Sequence, residues 1–195
     1  MEFATKSNQR FKKRELKINS IYSRCLLTRN IALPLTTIGK NIKETIENKI
    51  TFEFGGKCLV EGYIKTDSLK LITHSSGLIT RGTNVNFNVV FECEACFPVE
   101  GMIIQCVAKN ITKAGIRAES ATDVPSPVIV FIAKDHHYNV AQFSEIKEGD
   151  RFNVRVIGQR FELNDKYVSI IGELVKPKFD PEGKMTKPKI VIEDL

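Results

Sequence analysis

The chain has 195 residues, of which 42% are hydrophobic and 27% charged, and a formal net charge of +6. That length holds one large domain or two small ones with a real core. No apolar run approaches the roughly 18 residues a membrane helix needs, and the polar, basic start lacks the apolar stretch of a secretory signal, so neither is expected.

Charge is uneven along the chain. Residues 1–17 carry six basic side chains against two acidic ones, residues 18–97 nine against seven, residues 98–175 nine against ten, and residues 176–195 five against four. The basic balance therefore belongs to an N-terminal arm, 1–17, which is either a contact for phosphate or an acidic partner or a solvated end. The five cysteines, an odd number, fit free thiols in a reducing compartment better than a disulfide framework.

Within Ile18 to Leu33 lies a strand that ends at Pro34. After Thr36 and Thr37, Ile38, Ile42, Ile46 and Ile50 recur every four residues among charged neighbours, which predicts an amphipathic helix broken at Phe52-Glu53-Phe54-Gly55-Gly56. Lys57–Lys65, Leu69–Thr73 and Asn84–Cys96 read as strands, so residues 18–97 form an α+β module in which a helix covers a small antiparallel sheet. Pro98 and Gly101 punctuate the chain. Strands are then expected at Met102–Lys109, Gly115–Glu119, Val128–Ala133, Arg151–Gly158 and Tyr167–Leu174, with Met102, Ile104, Cys106 and Ala108 on one face of the first. Five short strands with one longer connection, Asp135 to Ile146, are the pattern of an all-β, five-stranded OB barrel over residues 98–175. The proline-rich segment 176–195 reads as an extended tail, with Ile190-Val191-Ile192 able to dock. A module feeding straight into an OB-type barrel suggests handling of nucleic acid.

No constellation supports catalysis. Cys93-Glu94-Ala95-Cys96 is a lone CxxC; residues three apart on a strand face opposite ways, and Cys25, Cys58 and Cys106 read as isolated, so no metal site is expected. Asp135-His136-His137 reads as a surface loop, as does His74-Ser75-Ser76-Gly77. There is no P-loop, GxGxxG, HExxH or GxSxG, and no cofactor is expected.

Several features in order resemble the stalk subunit of archaeal and eukaryotic RNA polymerases, the seventh subunit of the RNA polymerase II type. They are Ile31-Ala32-Leu33-Pro34, the helix from Gly39 to Ile50, Gly56-Lys57-Cys58, Gly62-Tyr63-Ile64, Phe87-Asn88-Val89 and the crossover Pro98-Val99-Glu100-Gly101. The second half is similar to an S-one-type OB domain through Gly101, Gly115, Val130-Phe131-Ile132 and Gly149-Asp150, so the resemblance spans roughly residues 18–175. It implies a non-catalytic subunit that supports initiation and elongation. Its tip module would dock on the polymerase core, a fourth-subunit-type partner would pack along both modules, and the OB domain would meet nascent RNA. The docking candidates are Gly55, Gly56, Lys57 and Gly62, which equally serve as a helix end and a tight turn.

RNA contact would rest on Phe131, Arg117, Lys109, Lys134 and Arg155. The S-one-type face usually carries rings near the second-strand glycine, where this chain has Ala114 and Arg117; Phe131 alone keeps a ring, and it could instead be a core residue. The competing reading is a free-standing single-stranded RNA-binding OB protein acting in translation or RNA decay. The Lys-, Ile- and Asn-rich composition suggests an AT-rich genome, so the expected compartment is the nucleus for a cellular polymerase and a cytoplasmic factory or virion for a large DNA virus.

Overall fold

The computed structural model describes residues 20–79, 82–137 and 141–175. The basic arm 1–17, the strand start expected at Ile18, and the tail 176–195 with Ile190–Ile192 lie outside the described residues.

The first half is built around one long strand. β1 (Tyr22–Pro34) leads through a 3-10 turn (Leu35–Thr37) to α1 (Ile42–Phe54). Then follow β2 (Cys58–Leu59), β3 (Gly62–Ile64), β4 (Lys70–His74), β5 (Leu78–Ile79) and β6 (Asn84–Cys96). β6 pairs antiparallel with β1 over its whole length, from Tyr22 opposite Cys96 to Pro34 opposite Asn84. Its other edge meets β5, β4 and β3 in turn. Strict alternation along β6 sends Val85, Phe87, Val89, Phe91, Cys93 and Ala95 to one buried face, which α1 covers with Ile46, Ile50 and Phe54.

Two expectations need correction here. The helix begins at Ile42 rather than near Gly39, and it continues through Phe54 instead of breaking at Phe52. Phe54 lies four residues beyond Ile50, extends the same stripe, and stacks on Phe91 with centroids 5.6 Å apart, so burial carries the helix one turn further. Ile38 sits in the link before the helix and is half-buried. The single strand expected over Lys57–Lys65 is a tight β2–β3 hairpin, because Gly62 takes a positive φ of 108° that turns the chain at Val60-Glu61.

The second half is a closed barrel of β7 (Ile103–Ile111), β8 (Gly115–Ser120), β9 (Val128–Ala133), β10 (Arg151–Arg160) and β11 (Val168–Leu174). A 3-10 turn (Lys134–His136) and a short α2 (Ala141–Glu145) fill the connection between β9 and β10. The strand order is β10-β11-β9-β8-β7, closed by β10 on β7, with β11 parallel to β9 and the other pairs antiparallel. That is OB topology. Ile104, Cys106 and Ala108 face the interior with Ile116, Val130, Val154 and Ile170, and the alternation expected along the first barrel strand is present.

Sheet and barrel share an apolar joint. Ile21, Cys58, Tyr63 and Cys96 belong to the same buried cluster as the barrel interior. Backbone bonds tie them further: Cys58 N–H donates to the Asp165 carbonyl (2.8 Å) and Asn164 N–H to the Cys58 carbonyl (2.9 Å), while Phe97 and Phe161 meet edge to face.

Candidate nucleic-acid and subunit interface

On the barrel's outer face Arg117 of β8 stands directly beside Phe131 of β9, and Phe131 beside Ile171 of β11. Phe131 is 39% exposed, so it belongs to the surface and not to the core. Its ring lies over Gly115, where any Cβ would meet the ring at 3.0 Å and collide with the Ile132 carbonyl. Lys109 of β7 comes to the same place through Glu119, whose carboxylate lies 3.8 Å from Lys109 Nζ and 3.9 Å from the Arg117 guanidinium. Lys134 follows at the strand end; its N–H bonds the Ala114 carbonyl, which sets it beside the β7–β8 turn.

Arg155 is not part of this group. It projects from β10 and bonds Glu173 at 2.8 Å. Since β11 separates β9 from β10, Arg155 stands two strands, about 10 Å, from Phe131. Sequence reasoning missed the two carboxylates that hold these bases, Glu119 and Glu173, and the aliphatic neighbour Ile171, which is about half exposed. Alternation along β11 around buried Val168 and Ile170 was the available signal for Ile171. Exposed ion pairs of this kind contribute at most about 1 kcal/mol, so a phosphate can displace the carboxylates at small cost.

The four glycine-loop residues are engaged in backbone work. Gly56, at φ 70°, donates its N–H to the Ile64 carbonyl (2.8 Å). Lys57 Nζ caps α1 by bonding the Glu53 carbonyl (3.0 Å) and the Phe52 carbonyl (3.4 Å), and lies 5.9 Å from the Phe52 ring, which is 80% exposed. At Gly62 a Cβ would collide with the Cys96 carbonyl. Gly55 donates its N–H to the Thr51 carbonyl (3.0 Å) and ends the helix. At the other end of the sheet, where β1 finishes and β6 begins, Leu35, Ile38, Ile42, Ile79, Val85 and Phe87 line an open groove of about 390 Å³. Leu35, Leu78 and Ile79 are largely exposed there.

The cysteines and one histidine depart from their sequence reading. Cys93 joins the helix-side core and Cys96 the barrel joint, on opposite faces as their spacing requires. Cys25, however, is not isolated: it lies opposite Cys93 with sulfurs 3.3 Å apart. Burial pushes the Cys96 and Cys106 thiols up to about 12 and Cys58 to about 11. Burial, then the Cys25 hydrogen bond, takes Cys93 to about 12. Such thiols stay protonated near neutrality and are poor nucleophiles.

His137 is buried, whereas the pair His136-His137 reads as a loop from sequence. The 3-10 turn folds it back so that Nδ1–H donates to the Ala133 carbonyl (2.8 Å) and Nε2 accepts from Leu174 N–H (3.0 Å), with the ring stacked on Phe143. That pattern assigns the neutral Nδ1–H tautomer and ties the ends of β9 and β11 together. His137→Ala leaves a buried donor and acceptor unpaired and is expected to cost about 1–3 kcal/mol, read as a lower urea midpoint at unchanged slope. His136→Ala, at an exposed position, should leave the midpoint where it is.

No protein-family model matches the chain. Curated relatives do. The chain is 29% identical over 129 residues to DNA-directed RNA polymerase II subunit 7 of Arabidopsis thaliana, covering 66% of this chain and 69% of the relative. It is 26% identical over 161 residues to a putative DNA-directed RNA polymerase subunit of Acanthamoeba polyphaga mimivirus, covering 74% and 73%. It is likewise 26% identical over 129 residues to DNA-directed RNA polymerase II subunit RPB7 of Glycine max, covering 66% and 69%. With a helix-covered sheet running into a five-stranded barrel, the chain is similar to the seventh subunit of RNA polymerase II from two plants and to a putative RNA polymerase subunit of a virus.

Proposed function

We propose that the chain is the non-catalytic stalk subunit of a DNA-dependent RNA polymerase. The observation that carries this reading is the naming of its relatives as polymerase subunits, joined to a sheet module that passes through the short link 97–102 into an OB barrel. In this reading residues 18–97 are the core-docking module and 98–175 the RNA-facing domain, flanked by the basic arm 1–17 and the tail 176–195. Docking uses the Gly55-Gly56-Lys57 and Gly62 loops, and the apolar sheet end around Leu35 and Ile79 offers further surface for the large subunits. A fourth-subunit-type partner packs along both modules. The compartment follows the polymerase: nucleus for a cellular enzyme, cytoplasmic factory or virion for a viral one.

The barrel contacts nascent RNA at Phe131, Arg117, Lys109 and Lys134, with Arg155 as a separate outlying contact. A stacked base contributes about 1–3 kcal/mol. Phe131→Ala combined with Arg117→Ala is therefore expected to weaken single-stranded RNA binding about tenfold or more while association with the polymerase persists. Equal crosslinking of wild type and variant to transcript would remove this face from the account. A polymerase lacking the chain should still extend RNA on a tailed template but initiate poorly at promoters. Loss of nucleotide addition itself would contradict a non-catalytic role.

A further inference from the structure

We propose that Cys25 and Cys93 form a reversible cross-strand disulfide, a thiol-modification site that takes a disulfide oxidant of the glutathione class. The two residues are direct partners in the β1–β6 register. Opposed residues on antiparallel strands have Cα atoms about 4.5–5.5 Å apart, inside the roughly 4.4–6.8 Å that a disulfide spans. The sulfurs already stand 3.3 Å apart, so side-chain rotation must bring them closer by about 1.3 Å to reach bonding distance. Both are free thiols, and among the cysteines Cys25 is the half-buried one while Cys58, Cys93, Cys96 and Cys106 are buried. The Arg29–Glu61 pair lies alongside; burial chiefly, then Cys25 and Glu61, oppose the Cys93 thiolate, and the Arg29 charge favours it.

The chemistry balances in two exchanges. The Cys25 thiolate attacks one sulfur of glutathione disulfide, forming a mixed disulfide and releasing one glutathione thiolate. Cys93 then loses its proton and attacks the Cys25 sulfur, and the second glutathione leaves. Two protein thiols are oxidised, one glutathione disulfide is reduced to two thiols, and the two protons end on those products. Because burial suppresses the Cys93 thiolate, the second exchange is the slow one and accelerates with alkaline pH. The product ties the ends of a segment containing α1 and all of β2 to β5. Closing so long a loop restricts the unfolded chain and stabilises the fold.

The test uses the full chain equilibrated in glutathione buffers from fully reducing to fully oxidising, quenched with iodoacetamide and mapped by non-reducing digestion and mass spectrometry. The expected result is a Cys25–Cys93 linked peptide, three remaining alkylated cysteines, faster formation at higher pH, and a melting temperature raised by about 5–10 °C. Dithiothreitol should reverse all of these. Cys25→Ser should abolish the link and the melting shift together. Five alkylated cysteines in the most oxidising buffer, glutathione retained on Cys25, or a link through Cys58, Cys96 or Cys106 would each overturn the proposal. These outcomes are read on the wild-type chain, so they decide the matter even where a variant folds poorly.

Discussion

Ile46→Asp is expected to unfold the sheet-and-helix module. Ile46 has no exposed surface and sits mid-stripe on α1 between Ile42 and Ile50, pressed into the β6 face. Removing its side chain alone costs about 2–5 kcal/mol, and an unpaired carboxylate in that position costs several more. Whole domains have only about 5–15 kcal/mol to lose. Ile42→Asp should be milder, since half-buried Ile42 lies at the first turn where a carboxylate can reach water and favours the helix N-terminus. Circular dichroism with urea titration reads the difference. The apolar joint through Ile21, Cys58, Tyr63 and Cys96 further predicts that the barrel loses stability with the module. A folded Ile46→Asp chain with a near-normal midpoint would mean that α1 does not cover the sheet as described.

Gly62→Ala should be the most damaging of the glycine-loop substitutions. Its φ of 108° is one that side chains rarely adopt, at about 1–3 kcal/mol for the backbone, and the new Cβ would strike the Cys96 carbonyl. The β2–β3 hairpin would shift, and with it Cys58, whose backbone holds the Leu163-Asn164-Asp165 turn of the barrel. Gly56→Ala meets Thr66 Oγ1 at 3.0 Å and a milder left-handed φ, so its loss should be smaller. Melting of the isolated chain separates the roles. A large drop for Gly62→Ala without any polymerase present assigns this glycine to the fold, whereas unchanged melting with lost polymerase association would assign it to docking.

The legible parts of the fold were those written in local periodicity. Alternation from Asn84 to Cys96 marks β6 from end to end, and the barrel strands fall within a few residues of their expected bounds because buried and exposed positions alternate in each. The helix end was misread because Phe52 and Phe54 look like a strand, while Phe54's burial against Phe91 is a tertiary event. The β2–β3 hairpin was merged into one strand because a positive φ at Gly62 leaves little trace in the neighbouring residues. His137 looked polar and exposed because its partners, Ala133, Phe143 and Leu174, come from three separate elements.

Strand order decided what the site reading missed. Arg117 and Phe131 are neighbours through the β8–β9 register, but Arg155 is set apart by the parallel insertion of β11 between β9 and β10, which no local pattern announces. The Cys25–Cys93 contact joins residues 68 positions apart and exists through register alone.

The central claim, that this chain works as a subunit of a multisubunit RNA polymerase, is tested most directly by purifying the tagged full-length protein from its native source at moderate salt and identifying what comes with it by mass spectrometry. The account predicts the large polymerase subunits together with one small helical partner. Recovery of the chain alone, with RNA only, or with ribosomal or exosome components would contradict it.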